Sequence, residues 1–312
     1  MTPGHGPFVS ETPVIMTTES PQKSHSVFHL LLQGDPRKTW SIPDNSVHMV
    51  LTAPPCWPLE WDHLHKDLRW HAETYEDFLE QLDKVWEQVF RVLVPGGRMV
   101  CVVGDIWLSR KDHGRHRVIP YAADISIRCR NIGFDNLNPI IWQKGTETEQ
   151  RPGNPSTFLG SPYEPNAAIR KNVDYILMQR KPGGYRKPTS EQRERSRIEK
   201  TEYYRWFQQC WTVTADTRTE LQTPFPARIA ERLIRMFSFW GDTVLDPFCG
   251  AGTTLVAAMN RHRSGIGIEP DRDTCRIALN RVHEASNPLF NTIRLECQPM
   301  AEYIPPVAAE MT

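Results

Sequence analysis

Two glycines, Gly250 and Gly252, stand in the run DPFCGAG at 246–252, between the apolar stretch Thr243 to Leu245 and a helix-forming stretch that starts at Thr253. A strand, a tight glycine turn and a helix in that order let backbone approach a ligand where a Cβ would block it. The run lacks Gly-Lys-Ser/Thr, so it is no triphosphate P-loop, and Leu255 stands where a dinucleotide fingerprint places its third glycine. Glu269 lies 19 residues beyond Gly250, at the end of the next run GIGIE. A carboxylate at that spacing is placed to accept hydrogen bonds from both hydroxyls of a ribose. Together these residues fit a cofactor that carries adenosine without a phosphate chain.

The elements that must hold this loop follow from periodicity. VFHLLLQGD from Val27 and SVHMVLTAPP from Ser46 are short apolar runs that stop at Gly34-Asp35 and Pro54-Pro55, the pattern of buried parallel strands ending at a functional edge. Between Tyr75 and Leu93 the apolar positions Phe78, Leu82, Val85, Trp86, Val89, Phe90 and Leu93 recur at three and four, and Pro95-Gly96-Gly97 closes the run, which predicts an amphipathic helix and then a turn. Strands are expected at RMVCVVGD, at Pro139 to Trp142 and at Val173 to Met178, with helices at Tyr121 to Cys129 and in PFPARIAERLIRMFS. Strand and helix alternate, which predicts an α/β layer fold. Residues 1–26 have little apolar periodicity and read as a mobile, disordered tail, and 301–312 form a C-terminal tail. Gly145 to Arg170 and Lys181 to Arg205 are long, irregular and rich in Pro, Gly and charge, the kind of loop that carries function.

Composition narrows the classes. Of 312 residues, 39% are hydrophobic and 24% charged, as in a soluble globular chain, and 37 basic residues balance 37 acidic ones, so a polyanion must be held by local patches. No run approaches the roughly 18 apolar residues of a membrane span, and the first residues lack a signal-peptide pattern. Membrane anchoring and secretion are not expected. Seven scattered cysteines with no C-x-x-C pair read as reduced cytosolic thiols, and no metal site is expected.

DPFCGAGTT at 246–254, with TAPPCW at 52–57 far upstream, resembles the DNA amino-methyltransferases of the permuted, beta order. QGDPR at 33–37, IPDNSV at 42–47, VLVPGGR at 92–98, IIWQK at 140–144, VDYIL at 173–177 and FPARIAERLI at 225–234 extend the resemblance from about Val27 to His283. It implies a Rossmann-like, S-adenosylmethionine-dependent methyltransferase sheet flanked by helices and circularly permuted. The catalytic half would be 27–144, an inserted target-recognition region 145–221 (with a core strand near 173–178), and the cofactor half 222–300. It further implies that Asp246, Phe248, Gly250, Gly252 and Thr253 shape the methionine and ribose pocket, that Glu269 takes the ribose hydroxyls, and that Asp35 accepts from the adenine amine. The segment Thr223 to Pro226, including Phe225, would lie against the cofactor.

In this family the (S/D)-P-P-(Y/W/F) motif polarises the amine of a flipped base and stacks on its ring. Here Ala53-Pro54-Pro55-Cys56-Trp57 occupies that place, so the acceptor side chain and the usual aromatic are both missing. Loss of one acceptor costs a few kcal/mol of transition-state stabilisation by analogy with an oxyanion hole. Three explanations stay open. Thr52, Glu60, Asp62 or His63 substitutes; the Pro54 carbonyl suffices; or Ala53 is a change introduced to trap a complex. Trp57 is the candidate stacking face or a packing aromatic. The Thr-x-Pro-Pro-x-Trp form points to N4-cytosine in duplex DNA, with N6-adenine, or a DNA-binding protein of weakened catalysis, as alternatives. Eight basic residues against four acidic in 181–205, and six against two in 110–130, supply candidate phosphate contacts: Arg115, Arg117, Lys144, Arg186, Lys187 and Arg193. A cytoplasmic, nucleoid-associated location, a homodimer and a cognate restriction endonuclease are further implications of the resemblance.

Overall fold

The computed structural model describes residues 27–57, 72–145, 169, 171–214, 224–286 and 293–300. Strands β1 (Val27–Gln33) and β2 (Val47–Thr52) are nearly uninterrupted apolar runs because both faces of the sheet are covered. Helix α1 (Tyr75–Val92) opens with a reciprocal cap, Asp77 N donating to Thr74 Oγ1 (3.1 Å) and Thr74 N to Asp77 Oδ2 (3.0 Å), and buries Phe78, Leu82, Val85, Trp86 and Val89 of the predicted stripe, with Phe90 half-buried. Strand β3 (Leu93–Val103) follows at once. The expected turn at Pro95-Gly96-Gly97 is part of this strand, since Gly96 N donates to Lys181 O and Lys181 N to Gly97 O, continuing the ladder.

A small hairpin of β4 (Ile106–Leu108) and β5 (Arg117–Ile119) brackets α2 (Arg110–His113). Then come α3 (Tyr121–Ile132), β6 (Asp135–Gln143) and β7 (Val173–Arg180). The stretch expected to be irregular contains α4 (Ser190–Arg195) and α5 (Lys200–Trp206), followed by β8 (Cys210–Thr212). The chain ends its described course in α6 (Ala227–Phe237), β9 (Thr243–Asp246), α7 (Thr253–Met259), β10 (Ser264–Glu269), α8 (Arg272–Ala285) and β11 (Ile293–Pro299).

Among the described residues, nine strands form one sheet in the order β11-β1-β10-β9-β2-β3-β7-β6-β8, with β7 antiparallel to both neighbours and every other pair parallel. The strands alternate their side chains between two cores. Cys101 and Val103 face α1 and α3, whereas Val100 and Val102 face α6. A third cluster joins α7 and α8 over Leu31. Chain order and sheet order disagree in an informative way: β9 and β10 come late yet lie between β1 and β2. A parallel sheet tolerates this permutation because its ligand crevice depends only on which strand ends adjoin. The carboxyl edge therefore gathers Gln33, Thr52, Val103, Gln143, Asp246 and Glu269; the amino edge gathers the strand starts and Arg180, the last residue of β7.

Candidate active site at the carboxyl edge

Strand β9 delivers Asp246 to the sheet edge, and the chain then turns through left-handed backbone at Gly250 (φ 50°) and Gly252 (φ 80°). A Cβ on Gly252 would lie 3.0 Å from Ala278 Cβ and 3.2 Å from its Cα, so the glycine also lets α8 close on the loop. A Cβ on Gly250 would meet nothing within 4 Å, which leaves that backbone facing open space. Glu269, 6% exposed, accepts from Gly250 N (3.0 Å) and Asp271 N (3.1 Å), and burial pushes its carboxyl up to about 7.

Asp246 ties the two halves of the sheet together. Its oxygens accept from Thr52 Oγ1 at the end of β2 (2.7 Å), from Thr254 Oγ1 on α7 (2.7 Å) and from Phe248 N (3.1 Å). It is 3% exposed, and burial pushes it up to about 6 against the pull of those three donors. The Thr52 hydroxyl is thus buried and engaged with Asp246.

The turn after β1 reaches the same place, since Gly34 N donates to Glu269 O (3.1 Å). Asp35 accepts from Arg37 N (3.0 Å), Nε (2.8 Å) and Nη2 (2.7 Å). Burial raises its carboxyl, but the Arg37 bonds outweigh this and hold it below the usual range. Both oxygens already serve Arg37, so only their remaining lone pairs are left for an adenine amine.

In the loop that leaves β2, Ala53 packs against the second core while Pro54 and Pro55 are buried. Tyr121, the first residue of α3, donates its phenol to Pro55 O (2.7 Å); burial pushes that phenol up, which keeps it a donor. Cys56 is exposed. Trp57 meets Tyr75 edge-on at 5.8 Å, and Tyr75 is itself fixed by donating to Asp124 Oδ2 (2.8 Å). Residues 58–71, with the suggested substitutes Glu60, Asp62 and His63, lie outside the described residues, as does Thr223. Phe225 is buried in the second core.

The candidate cations separate into two groups. Arg115 and Arg117 are exposed on the hairpin that leaves the carboxyl end of β3. Lys144 directly follows β6 at this edge and is paired with buried Asp174, whose other oxygen is 3.7 Å from Lys171 Nζ. Lys171 also donates to Asp105 O (2.8 Å). By contrast, Arg186 is paired with buried Asp242 beside the start of β9, and exposed Arg193 donates to Pro188 O (3.3 Å). These two and exposed Lys187 follow Arg180 and lie at the amino edge, across the sheet from Pro54. Tyr121, Tyr75, Lys171 and Asp174 were not foreseen from sequence, since nothing local marks a tyrosine or a lysine as the partner of a distant loop.

A glycine loop on one central strand, facing a Pro-Pro loop on its neighbour at the point where strand order reverses, defines a doubly wound α/β enzyme for a nucleoside cofactor. The chain belongs to the DNA methylase family N6_N4_Mtase, which matches residues 47–280, and its halves stand in the beta order. It is 40% identical to the type II methyltransferase M.MjaI of Methanocaldococcus jannaschii over 274 residues, 78% of this chain and 88% of that one. To M.MthZI of Methanothermobacter thermautotrophicus it is 32% identical, over 78% and 73% of the two chains. TTHA0409 of Thermus thermophilus, solved in complex with S-adenosyl-L-methionine, superposes with a TM-score of 0.70 at 49% identity over 86% of this chain and 99% of that one. The PvuII DNA methyltransferase (cytosine-N4-specific) shares the fold, with a TM-score of 0.58 at 16% identity over 87% and 97%.

Proposed function

We propose that this DNA methylase transfers a methyl group from S-adenosyl-L-methionine to the N4 amine of cytosine within a short duplex site, after the base is flipped out of the helix. The observation that carries the reading is the hydrogen bond from Thr52 to Asp246, which abuts the Pro54-Pro55 loop and the glycine loop. The residues fit the cofactor: Gly250 faces open space, and the Glu269 carboxylate is braced by two backbone donors with lone pairs left for a ribose.

When bound, S-adenosyl-L-methionine supplies a methyl group already activated on a sulfonium, so the protein's task is alignment. Glu269 orients the ribose, while Asp246, Phe248, Gly250, Gly252 and Thr253 wall the pocket, and Asp35 lies toward the adenine. The Pro54 carbonyl accepts from the target amine and favours the pyramidal nitrogen whose lone pair can attack. Tyr121 holds the next peptide by its bond to Pro55 O, and Trp57, backed by Tyr75, offers a ring for the flipped base. Arg115, Arg117 and Lys144 contact phosphates on this edge. A cognate endonuclease, a homodimer and a nucleoid-associated location belong to the same proposal through the family resemblance.

A catalytically weakened DNA binder is the second reading, favoured by Ala53, which is half-buried against the second core and offers no side-chain acceptor. Mass spectrometry of nucleosides after incubation of duplex DNA with labelled cofactor, for this protein and its Ala53→Ser variant, tests both. Label in N4-methylcytosine from both proteins supports the proposal, and label only from the Ala53→Ser form identifies Ala53 as a disabling substitution in a true methyltransferase. Label in N6-methyladenine overturns the base assignment, and none from either protein leaves the binder.

A further inference from the structure

The basic, aromatic-rich segment from Lys181 to Trp206 lies at the amino edge, across the sheet from the Pro54-Pro55 loop. It encloses, with the amino ends of β2 and β3 and the last turn of α6, a cavity of about 440 Å³. The four residues of β9, about 13 Å of strand, separate Asp242 at this cavity from Asp246 at the glycine loop. Whatever enters here is therefore neither the methyl donor nor the base being methylated.

Its charges do not cancel. Arg186 is neutralised by Asp242, and Arg235 by Glu202 through two bonds of 3.0 and 2.6 Å. Arg98 stands directly opposite Arg180 in the β3–β7 ladder, and Arg180 is taken by Asp135 at 2.8 Å. The Arg98 guanidinium lies 4.9 Å over the ring of Phe237, and among the described residues it has no carboxylate partner. A half-buried cation left over in this way is costly unless an anion arrives. Around it the wall presents exposed aromatic residues: Tyr185, 79% exposed with Arg180 over its ring at 5.9 Å, and Tyr203, 50% exposed with one face stacked on Phe207 at 4.5 Å. Aromatic faces beside an unneutralised guanidinium are the combination that holds a base by stacking and its phosphate by charge.

We propose that the amino-edge cavity is a second ligand site that takes a nucleotide unit, phosphate on Arg98 and base against Tyr185 and Tyr203, from a free mononucleotide or a single strand. The site is independent of the methyl-transfer reading.

The test uses the full chain saturated with S-adenosylhomocysteine, so that the glycine-loop pocket is blocked. Calorimetric titrations with adenosine monophosphate, a ten-residue deoxythymidine strand and inorganic phosphate are compared for the native protein, Arg98→Met and Tyr185→Ala. Saturable 1:1 binding of the mononucleotide or the strand, weakened about tenfold by each substitution, is expected; the tighter probe names the source. Tyr185 is so exposed that its removal leaves folding intact, which guards against a misfolded Arg98→Met protein. Binding of neither nucleotide probe at millimolar concentration overturns the proposal. So does binding that ignores Tyr185→Ala and is matched by phosphate alone.

Discussion

The two edges of one sheet handle charge in opposite ways. At the carboxyl edge, the acids on the two central strands β9 and β10 are held by neutral donors, Asp246 by two hydroxyls and an amide and Glu269 by two amides, while the flanking Asp35 and Asp174 pair with Arg37 and Lys144. No cation neutralises Asp246 or Glu269 among the described residues, and both of these carboxyls are pushed upward by burial. At the amino edge the acidic groups Asp242, Glu202 and Asp135 each face an arginine. A centre with two hydrogen-bonded acids that no cation neutralises is ready for a cationic, hydroxyl-bearing ligand. An edge built from ion pairs mainly fastens the segment 181–206 to the body of the protein.

The largest effects should separate these roles. Asp246→Ala leaves Thr52 and Thr254 without their buried acceptor; it is expected to cost about 3 kcal/mol of stability and to remove methylation. Arg186→Ala strands a buried carboxylate at Asp242 and is expected to cost a similar amount, about 3 kcal/mol. Its methylation rate per folded molecule should stay within about twofold. Urea denaturation with assays at matched folded fraction reads both quantities. Loss of turnover in the Arg186→Ala protein would erase the distinction between the edges.

Much of the carboxyl edge was legible because its signals are local. Continuous apolar runs ending in Gly34-Asp35 or Pro54-Pro55, and a glycine turn before Thr253, each specify a strand and its stop within about ten residues. The bond between Thr52 and Asp246 was not legible, since it joins positions 194 apart in the chain. The amino edge was hidden for the same reason. Nothing near Arg186 tells that its partner is Asp242. Helix α4 had a readable mark in Thr189-x-x-Gln192, a capping box that the structure forms, but a helix of six residues has too few turns to show an apolar stripe. Helix α8 buries Cys275, Ala278 and Val282, small residues that weaken the periodic signal.

Next in size is the missing acceptor. Ala53→Ser is expected to raise turnover about tenfold or more, because a hydroxyl aimed at the amine acts only when the amine pyramidalises. The Michaelis constant for the cofactor should not move. An unchanged rate would mean that the Pro54 carbonyl is sufficient and that Ala53 is no defect.

Glu269 gives a pH effect of moderate size with two opposed signs. A carboxyl raised from 4.5 to about 7 holds its proton more tightly in the folded chain than in the unfolded one. Its contribution to the stability of the cofactor-free protein is therefore present at low pH and lost as pH rises from about 4.5 to 7. Cofactor affinity runs the other way, because the ionised carboxylate is the better acceptor for ribose hydroxyls and attracts the sulfonium. Binding should strengthen as pH rises toward 7, by up to about tenfold per unit, and level off above it. Glu269→Gln should flatten this dependence, and an unaltered slope would remove Glu269 from the cofactor site.

The smallest effects, and the most discriminating for the two edges, concern duplex DNA. Each phosphate contact contributes about 0.9 to the slope of log affinity against log salt. Replacing both Arg115 and Arg117 by alanine should lower duplex affinity several-fold and reduce that slope by about two, with little change in stability because both side chains are exposed. The paired replacement of Lys187 and Arg193 at the amino edge removes equal charge at a similar exposure. It should leave the slope within about half a unit of the native value. This comparison cancels the effect of net charge, so only position can account for a difference. If the second pair carried the salt dependence and the first did not, the duplex would lie along the amino edge. The Pro54-Pro55 loop would then be out of reach of a base flipped from it.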